Sequence, residues 1–336
     1  MFGRQFRGET SGRLSILVSV NCTTYNQEQY IAEAIESFVN QITNFKYEIL
    51  IGDDCSTDNT RIVVEHYANL HPDKIRIITS PTNVGARKNS QRLIQNSKGK
   101  YIAECEGDDY WTDPFKLQRQ VDYMEKHPDC TLCFHSAEII QAPNKRTDRF
   151  IRPYVTDQVS PLEDIIIGGG GFCPTPSLFY PKNLMENPPP FYESAPIGDY
   201  PMQMLLASHG YAYYMDKSMC AYRSGVEGSW TNRMILSSNN REKLIQINSG
   251  IIDLLNGFNQ YSRYRFNNEI AKVQEGLEYE LLIIQKKRMN NKNIRNYSFV
   301  YKISVHFKVF LRCNYPQLFM KLSSLKTTKY IKKPNA

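Results

Sequence analysis

From residue 286 to residue 336 the chain has no Asp or Glu, although thirteen Lys and Arg occur there. Removing those thirteen positive charges from the net +7 leaves residues 1–285 at −6. The basic balance belongs to the tail, so net charge gives no support for a nucleic-acid-binding body. Long apolar runs are also missing. Nothing approaches the ~18–20 consecutive apolar residues of a membrane span, and the opening MFGRQFRGETSGR lacks the apolar core of a secretory signal. The expected location is cytoplasmic. The eight cysteines are scattered, and Cys130 and Cys133 form the one C-x-x-C pair, with no second pair and no His at ligand spacing. Buried reduced thiols are expected in place of a zinc site or a disulfide framework. Neither G-x-x-x-x-G-K-S/T nor G-x-G-x-x-G after a first strand occurs, which removes phosphate-loop ATPases and dinucleotide enzymes.

The first 130 residues alternate regularly between two kinds of pattern. LSILVSVNCTTYN (14–26) reads as a buried strand, Ser15 to Val20, running into a polar turn, and Ile31, Ala34, Ile35 and Phe38 then repeat at helical spacing. FKYEILIGDD (45–54) is a strand ending on an acidic pair. CSTDNTRIVVEHYANLHPDK opens with cap-type residues before a helical run, and KIRIITSPTNVG returns to strand. ARKNSQRLIQNSKGK is a helix closed by Gly99, YIAECEGDD a strand, and DPFKLQRQVDYMEKHPD a helix with Pro114 in its first turn and Asp113 as its cap. Strand and helix in strict alternation predict an α/β fold, a mainly parallel sheet with helices on both faces.

In such sheets ligands bind beyond the carboxyl ends of the strands. Three polar clusters fall there: Thr23 to Asn26, then Asp53 and Asp54, then Glu106 to Asp109 in ECEGDDYWTDP. Carboxylates brought that close repel one another unless a cation or donor groups intervene. An all-oxygen set favours a hard divalent ion, Mg2+ or Mn2+, of the kind shared between one or two carboxylates and substrate phosphates. The implied ligand is a nucleoside diphosphate. His135, in CTLCFHSAEII, reads as a core or supporting residue, and Glu104, on the same strand face as Glu106, as a supporting partner.

VSVNCTTYN, EILIGDDCSTDNT, NVGARKN, ECEGDDYW, IGDY and AYRSGVEGSW, in this order and spacing over about residues 14–233, resemble the family 2 glycosyltransferases. The resemblance implies the GT-A (Rossmann-like) fold, a nucleotide-sugar donor, with UDP-sugars first, and transfer to an acceptor with inversion at the anomeric carbon. Donor contacts fall on Thr23, Tyr25, Asn26, Glu28, Asp54, Asn83, Glu106 and Asp108, with Asp54 accepting a hydrogen bond from the base. Glu106 and Asp108 occupy the ends of the family's D-x-D motif, and Asp108 and Asp109 are both metal candidates. Asp199, in ESAPIGDYPMQMLL, matches the position of the catalytic base. Taken alone it reads as a helix cap, but the preceding glycines 168–171, Gly170 among them, fit a backbone lining the acceptor side. AYRSGVEGSWTNR places Tyr222, Arg223, Trp230 and Arg233 in a flap over both substrates, where an Arg pairs with diphosphate oxygens, or in a plain packing loop. The family's processive members carry Q-x-x-R-W and membrane spans; neither occurs here, which implies one sugar per encounter.

The expected divisions are a flexible N-terminus (1–13), a GT-A domain (14–235, split into a nucleotide half 14–112 and an acceptor half 113–235), a helical extension (236–290) and a basic amphipathic tail (291–336). Leu244, Ile247, Ile251, Leu254 and Leu255 form one apolar face, and Ile270, Val273, Leu277, Leu281 and Ile284 a second, for packing on the domain or on another subunit. Residues 297–336 suit either an anionic membrane surface or the acidic body of their own chain. The expected acceptor is a glycan or a polyprenyl-linked sugar in surface polysaccharide synthesis, with no nucleic-acid partner. Two rival readings are a sugar nucleotidyltransferase, for which NCTTYNQEQY lacks the Gly- and Arg-rich triphosphate grip, and an idle nucleotide- or carbohydrate-binding descendant of an enzyme.

Overall fold

The computed structural model describes residues 15–236, 240–286 and 299–323. The expected flexible N-terminus lies outside the described residues. β1 (Val18–Thr24), β2 (Tyr47–Asp53), β3 (Ile75–Thr79) and β4 (Tyr101–Glu104) alternate with α1 (Ile31–Val39), α2 (Thr60–Leu70) and α3 (Ala86–Asn96) as the periodicities require. β1 runs four residues further than expected, because Thr23 and Thr24 stay in register with Gly52 and Asp53 of β2. The polar residues there are strand, and their neighbours supply the backbone partners.

Beyond β4 come β5 (Tyr110–Trp111), α4 (Lys116–Lys126), β6 (Cys130–Gln141), β7 (Lys145–Ile151), β8 (Gln158–Ser160) and α5 (Leu162–Gly168). β9 (Phe179–Pro181), α6 (Pro190–Glu193), α7 (Asp199–Ser208), β10 (Tyr211–Ser224) and α8 (Trp230–Ile235) follow. The sheet order is β3-β2-β1-β4-β9-β6-β10-β5, with β7 on β6 and β8 on β10. β3, β2, β1 and β4 are parallel, as are β6 and β10, while β9 runs antiparallel between β4 and β6. α4 starts at Lys116, and Asp113 accepts the Phe115 N–H at 2.8 Å just before it, so the cap lies two residues later than Pro114 suggests.

Alternating strand residues face two apolar layers. Ile102, Leu132, Phe134 and Tyr214 pack with α5, α6 and α7 on one face; Tyr101, Ala103, Cys133 and Phe179 pack with α1 and α4 on the other. The eight cysteines are all free, Cys130 and Cys133 both buried. His135 is a buried β6 residue whose Nδ1 lies 2.9 Å from the Ser136 carbonyl.

α9 (Asn240–Tyr261) and α10 (Asn267–Ile284) form the expected pair, and their Leu254, Leu255, Phe258 and Ile270 complete the same core as Met204 and Leu205 of α7. In the tail, α11 (Phe299–Asn314) and α12 (Pro316–Ser323) are described. Val305 and Val309 of α11 pack on Leu244, Tyr279 and Ile284, and Lys308 and Arg312 pair with Glu280 at 2.7 and 3.1 Å. One face of α11 is thus bound to the chain's own helices. No helix among the described residues is long and apolar enough to cross a membrane.

Candidate active site

The acidic turn after β4 is stitched to the end of β1. Cys105 N–H donates to the Asn21 carbonyl at 3.1 Å and Gly107 N–H to the Thr23 carbonyl at 2.9 Å. A Cβ on residue 107 would stand 2.6 Å from Gln27 Oε1 and 2.9 Å from Thr24 Oγ1, so only glycine lets the turn approach this closely. The result points Glu106 and Asp108 into a cleft of roughly 680 Å3, with Thr23, Thr24, Tyr25 and Gln27 on one wall, Asp54, Asn83 and Asn89 on another, and Tyr222 opposite.

Asp109 turns the other way. It is buried, its Oδ1 accepts the Arg223 N–H at 2.7 Å, and its Oδ2 has no hydrogen-bond donor among the described residues. Burial, then the charges of Asp108 and Asp199, push the Glu106 carboxyl up to about 8. Burial also raises Asp108, and burial together with Asp108 and Glu106 lifts Asp109 well above the ordinary range. Close carboxylates of this kind favour a proton or a compensating cation. Among the described residues no three His, Cys, Asp or Glu side chains form a protein-only metal cage. The Glu106 and Asp108 oxygens in the cleft are the donor type of a hard divalent ion that takes the rest of its shell from phosphate and water, not of a closed structural site.

On the nucleotide side, both oxygens of buried Asp54 accept backbone N–H groups, Oδ1 from Val84 at 2.9 Å and Oδ2 from Gly85 at 2.8 Å. This holds the 83–85 turn against the end of β2. Asn26 and Glu28, expected at the donor, spend their polar atoms elsewhere. Asn26 Oδ1 accepts the Thr57 N–H at 2.8 Å and Glu28 Oε2 the Asn59 N–H at 2.8 Å, so both tie the β1–α1 turn to the β2–α2 turn. Neither lines the cleft.

Asp199 is the first residue of α7, and its Oδ1 accepts the Tyr200 N–H at 2.8 Å. Burial raises its carboxyl above the usual aspartate value. Its charge also acts on Glu106 and Tyr222, so it belongs to the same electrostatic site as the acidic turn. A Cβ on Gly170 would lie 3.0 Å from both Asp199 oxygens, which makes the bare backbone there part of the carboxylate's seat. The loop ahead of Asp199 is gripped from the nucleotide half. The Arg87 guanidinium, on the first turn of α3, donates to the carbonyls of Tyr192, Ala195 and Ile197, the last at 2.7 Å.

Arg223, expected in a flap, lies at the end of β10 with its side chain wholly buried. Its guanidinium donates to Glu33 of α1, to the Asp108 carbonyl, to Asn144 Oδ1 and to the Pro143 carbonyl, and it stacks near the Tyr30 and Tyr110 rings. It braces the acidic turn through the Asp108 carbonyl while itself lining the cleft. Tyr222 faces the cleft among the carboxylates, as does Arg233 of α8; the Trp230 side chain lies outside the described ones. Glu104 is buried on β4, accepts the Tyr180 hydroxyl at 2.5 Å, and burial raises it to about 7.

Sequence reasoning missed Gln27, Asn89, Arg149 and the α12 residues Met320 and Lys321, all on the cleft wall. Gln27 sits one residue beyond the turn that was recognised. Nothing local marks Met320 or Lys321, which reach the cleft only because α11 carries α12 there.

Residues 19–176 match the family described as Glycosyl transferase family 2. The chain is 34% identical over 217 residues to an uncharacterized protein of Mycobacterium tuberculosis, 63% of this chain and 60% of that protein. It is 29% identical over 153 residues to a Bacillus subtilis protein described as a teichuronic acid biosynthesis glycosyltransferase, TuaG, covering 45% of this chain and 59% of that one. The chain thus spans about three fifths of these relatives' length. Its fold resembles the crystal structure of S. aureus TarS 1–349 in complex with UDP-GlcNAc, with a TM-score of 0.54 over 90% of this chain and 92% of that one, at 18% identity.

Proposed function

With the chain a family 2 glycosyltransferase of GT-A fold, we propose that it transfers one sugar per encounter, with inversion, from a nucleoside-diphosphate sugar to a glycan or polyprenyl-linked acceptor in surface polysaccharide synthesis. The observation that carries this is the convergence of Glu106 and Asp108 on one cleft with Asp199 within their electrostatic reach. A UDP-sugar is the first donor to test, because the TarS fold relative was solved with UDP-GlcNAc; the TuaG likeness supports a surface polysaccharide.

In this reading Thr23, Tyr25 and Asn83 bound the nucleotide, and Asp54 accepts from the base while holding the 83–85 turn. Asp108, facing the cleft, would be the first ligand for a divalent ion, Mn2+ or Mg2+, with Glu106 toward the ribose and the buried Asp109 carboxyl behind them holding the turn. An ion held there would supply Lewis-acid charge to the departing diphosphate. Asp199 takes the proton from the acceptor hydroxyl as that oxygen attacks the anomeric carbon opposite the diphosphate. Burial strengthens it as a base. Tyr222 and the 225–229 segment at the cleft mouth limit water that would hydrolyse the donor.

Asp199→Asn keeps size and the Tyr200 hydrogen bond while removing the base. Transfer is expected to fall about 10³-fold or more, with UDP affinity in Mn2+ unchanged within about twofold. Full transfer in this variant removes Asp199 as the base. Nucleotide binding without transfer or hydrolysis by the native protein, across UDP-, GDP- and dTDP-sugars, would favour the idle binding protein.

A further inference from the structure

We propose that the outward face of α11 and α12 docks the protein on the surface of an anionic lipid bilayer. On α11, Ile303, Phe307 and Phe310 recur at helical spacing and are 53%, 58% and 50% exposed, and Leu318 and Leu322 of α12 are exposed as well. The opposite stripe, Val305 and Val309, is already seated on the protein's own helices. The helix is therefore amphipathic in an unusual sense: one apolar stripe serves the core and a second faces outward. Ile303, Phe307 and Phe310 themselves line an open groove of roughly 850 Å3, together with Tyr279 and Ile283 of α10 and the cations Arg241, Lys286 and Lys302. That is the chemistry of an acyl chain below an anionic headgroup.

Charge selects the occupant. Glu280 of α10 is paired with Lys308 and Arg312, and the sequence has no Asp or Glu from residue 286 to residue 336. Among the described residues Arg241, Lys286 and Lys302 share the groove with the apolar stripe, and cations beside an apolar stripe match an interfacial helix on anionic lipid. A second copy meeting this face about a two-fold axis would set like charge against like charge. A nucleic acid would use the cations and leave the aliphatic stripe in water.

The test is sedimentation of the full chain with phosphatidylcholine vesicles, with and without phosphatidylglycerol. Binding is expected only to the phosphatidylglycerol vesicles, falling as salt is raised. Phe307→Ser/Phe310→Ser and Lys286→Gln/Lys302→Gln are each expected to lower partitioning on the order of tenfold, with native thermal stability. The first pair removes apolar contact and the second removes charge. No binding to phosphatidylglycerol vesicles, equal binding to neutral ones, or binding that neither double variant weakens overturns the proposal. So does self-association in ultracentrifugation that Phe307→Ser/Phe310→Ser abolishes without any vesicle binding, which would assign the face to a second copy. The readout needs no sugar transfer, so its failure leaves the glycosyltransferase reading untouched.

Discussion

Arg87→Ala tests whether the two halves of the site are mechanically joined. Val84 and Gly85 donate to Asp54 at the nucleotide side, and two residues on, Arg87 holds three carbonyls of the loop that delivers Asp199. A hydrogen bond from a charged donor is worth about 1.5–3 kcal/mol. Three on one guanidinium do not add fully, and the side chain is only half-buried, so a stability loss of about 2–3 kcal/mol is expected. The larger effect is kinetic. A base displaced by about 1 Å costs on the order of 10²-fold in rate, so kcat should fall about 10- to 100-fold. The affinity for UDP should change by less than about threefold, because the Asp54 contacts remain. Arg87→Lys keeps the charge but cannot fork to three carbonyls, and it should recover little activity. Added guanidinium ion should restore part of kcat to Arg87→Ala, which a general loss of stability would not allow. The assay is donor- and acceptor-dependent UDP release with isothermal titration of UDP. An unchanged kcat, or a loss confined to UDP affinity, refutes the coupling.

Two further outcomes follow from the packing. Gly170→Ala puts a Cβ about where both Asp199 oxygens lie at 3.0 Å, so the carboxylate must move by a few tenths of an ångström; kcat should drop about tenfold with nearly unchanged melting temperature, and full activity would show that this seat is not needed. Lys116 is wholly buried, with its Nζ 2.8 Å from Gln120 Oε1 and 4.1 Å from the Trp111 ring, and burial lowers it to about 8. Below about 8 both the folded and unfolded chains hold this proton, and the penalty of about 3 kcal/mol is constant. Between there and about 10.5 only the unfolded chain does, so native stability from this group rises with pH. Lys116→Met should therefore stabilise the protein near pH 7 by up to about 3 kcal/mol and lose that advantage near pH 10; an equal urea-midpoint shift at both pH values would refute the assignment.

The strand–helix alternation was legible because each element's burial is written in its own spacing: Ile31, Ala34, Ile35 and Phe38 are all buried on α1, as the period requires. The acidic ends of β2 and β4 were legible for the same reason, since parallel topology alone brings their carboxyl ends together. What sequence hid depends on partners that have no side-chain signature. Arg87 works through three carbonyl groups more than 100 residues away, and any residue type would supply those carbonyls. Asn26 and Glu28 stand in the right turn for donor contact, yet unsatisfied N–H groups at Thr57 and Asn59 claim them first. Arg223 reads as a loop cation because a charge inside a strand is costly, and the fold removes that cost with Glu33, three further acceptors and two aromatic faces.

The choice between Asp108 and Asp109 is the sharpest case, because adjacent identical residues in a turn cannot be told apart by pattern. What separates them is one backbone amide: Arg223 N–H binds Asp109 Oδ1 from beneath, and Gly107, bare of Cβ, lets the turn close so that Asp108 faces the cleft. Asp109 is then left with a buried, unpaired Oδ2 and a carboxyl lifted by burial and by Asp108 and Glu106. Burial and the neighbouring carboxylates thus favour the neutral form of Asp109, which makes it the poorer of the two to meet a cation. That supports a division of labour in which Asp108 meets the ion and Asp109, tied to the Arg223 amide, fixes the turn that presents it.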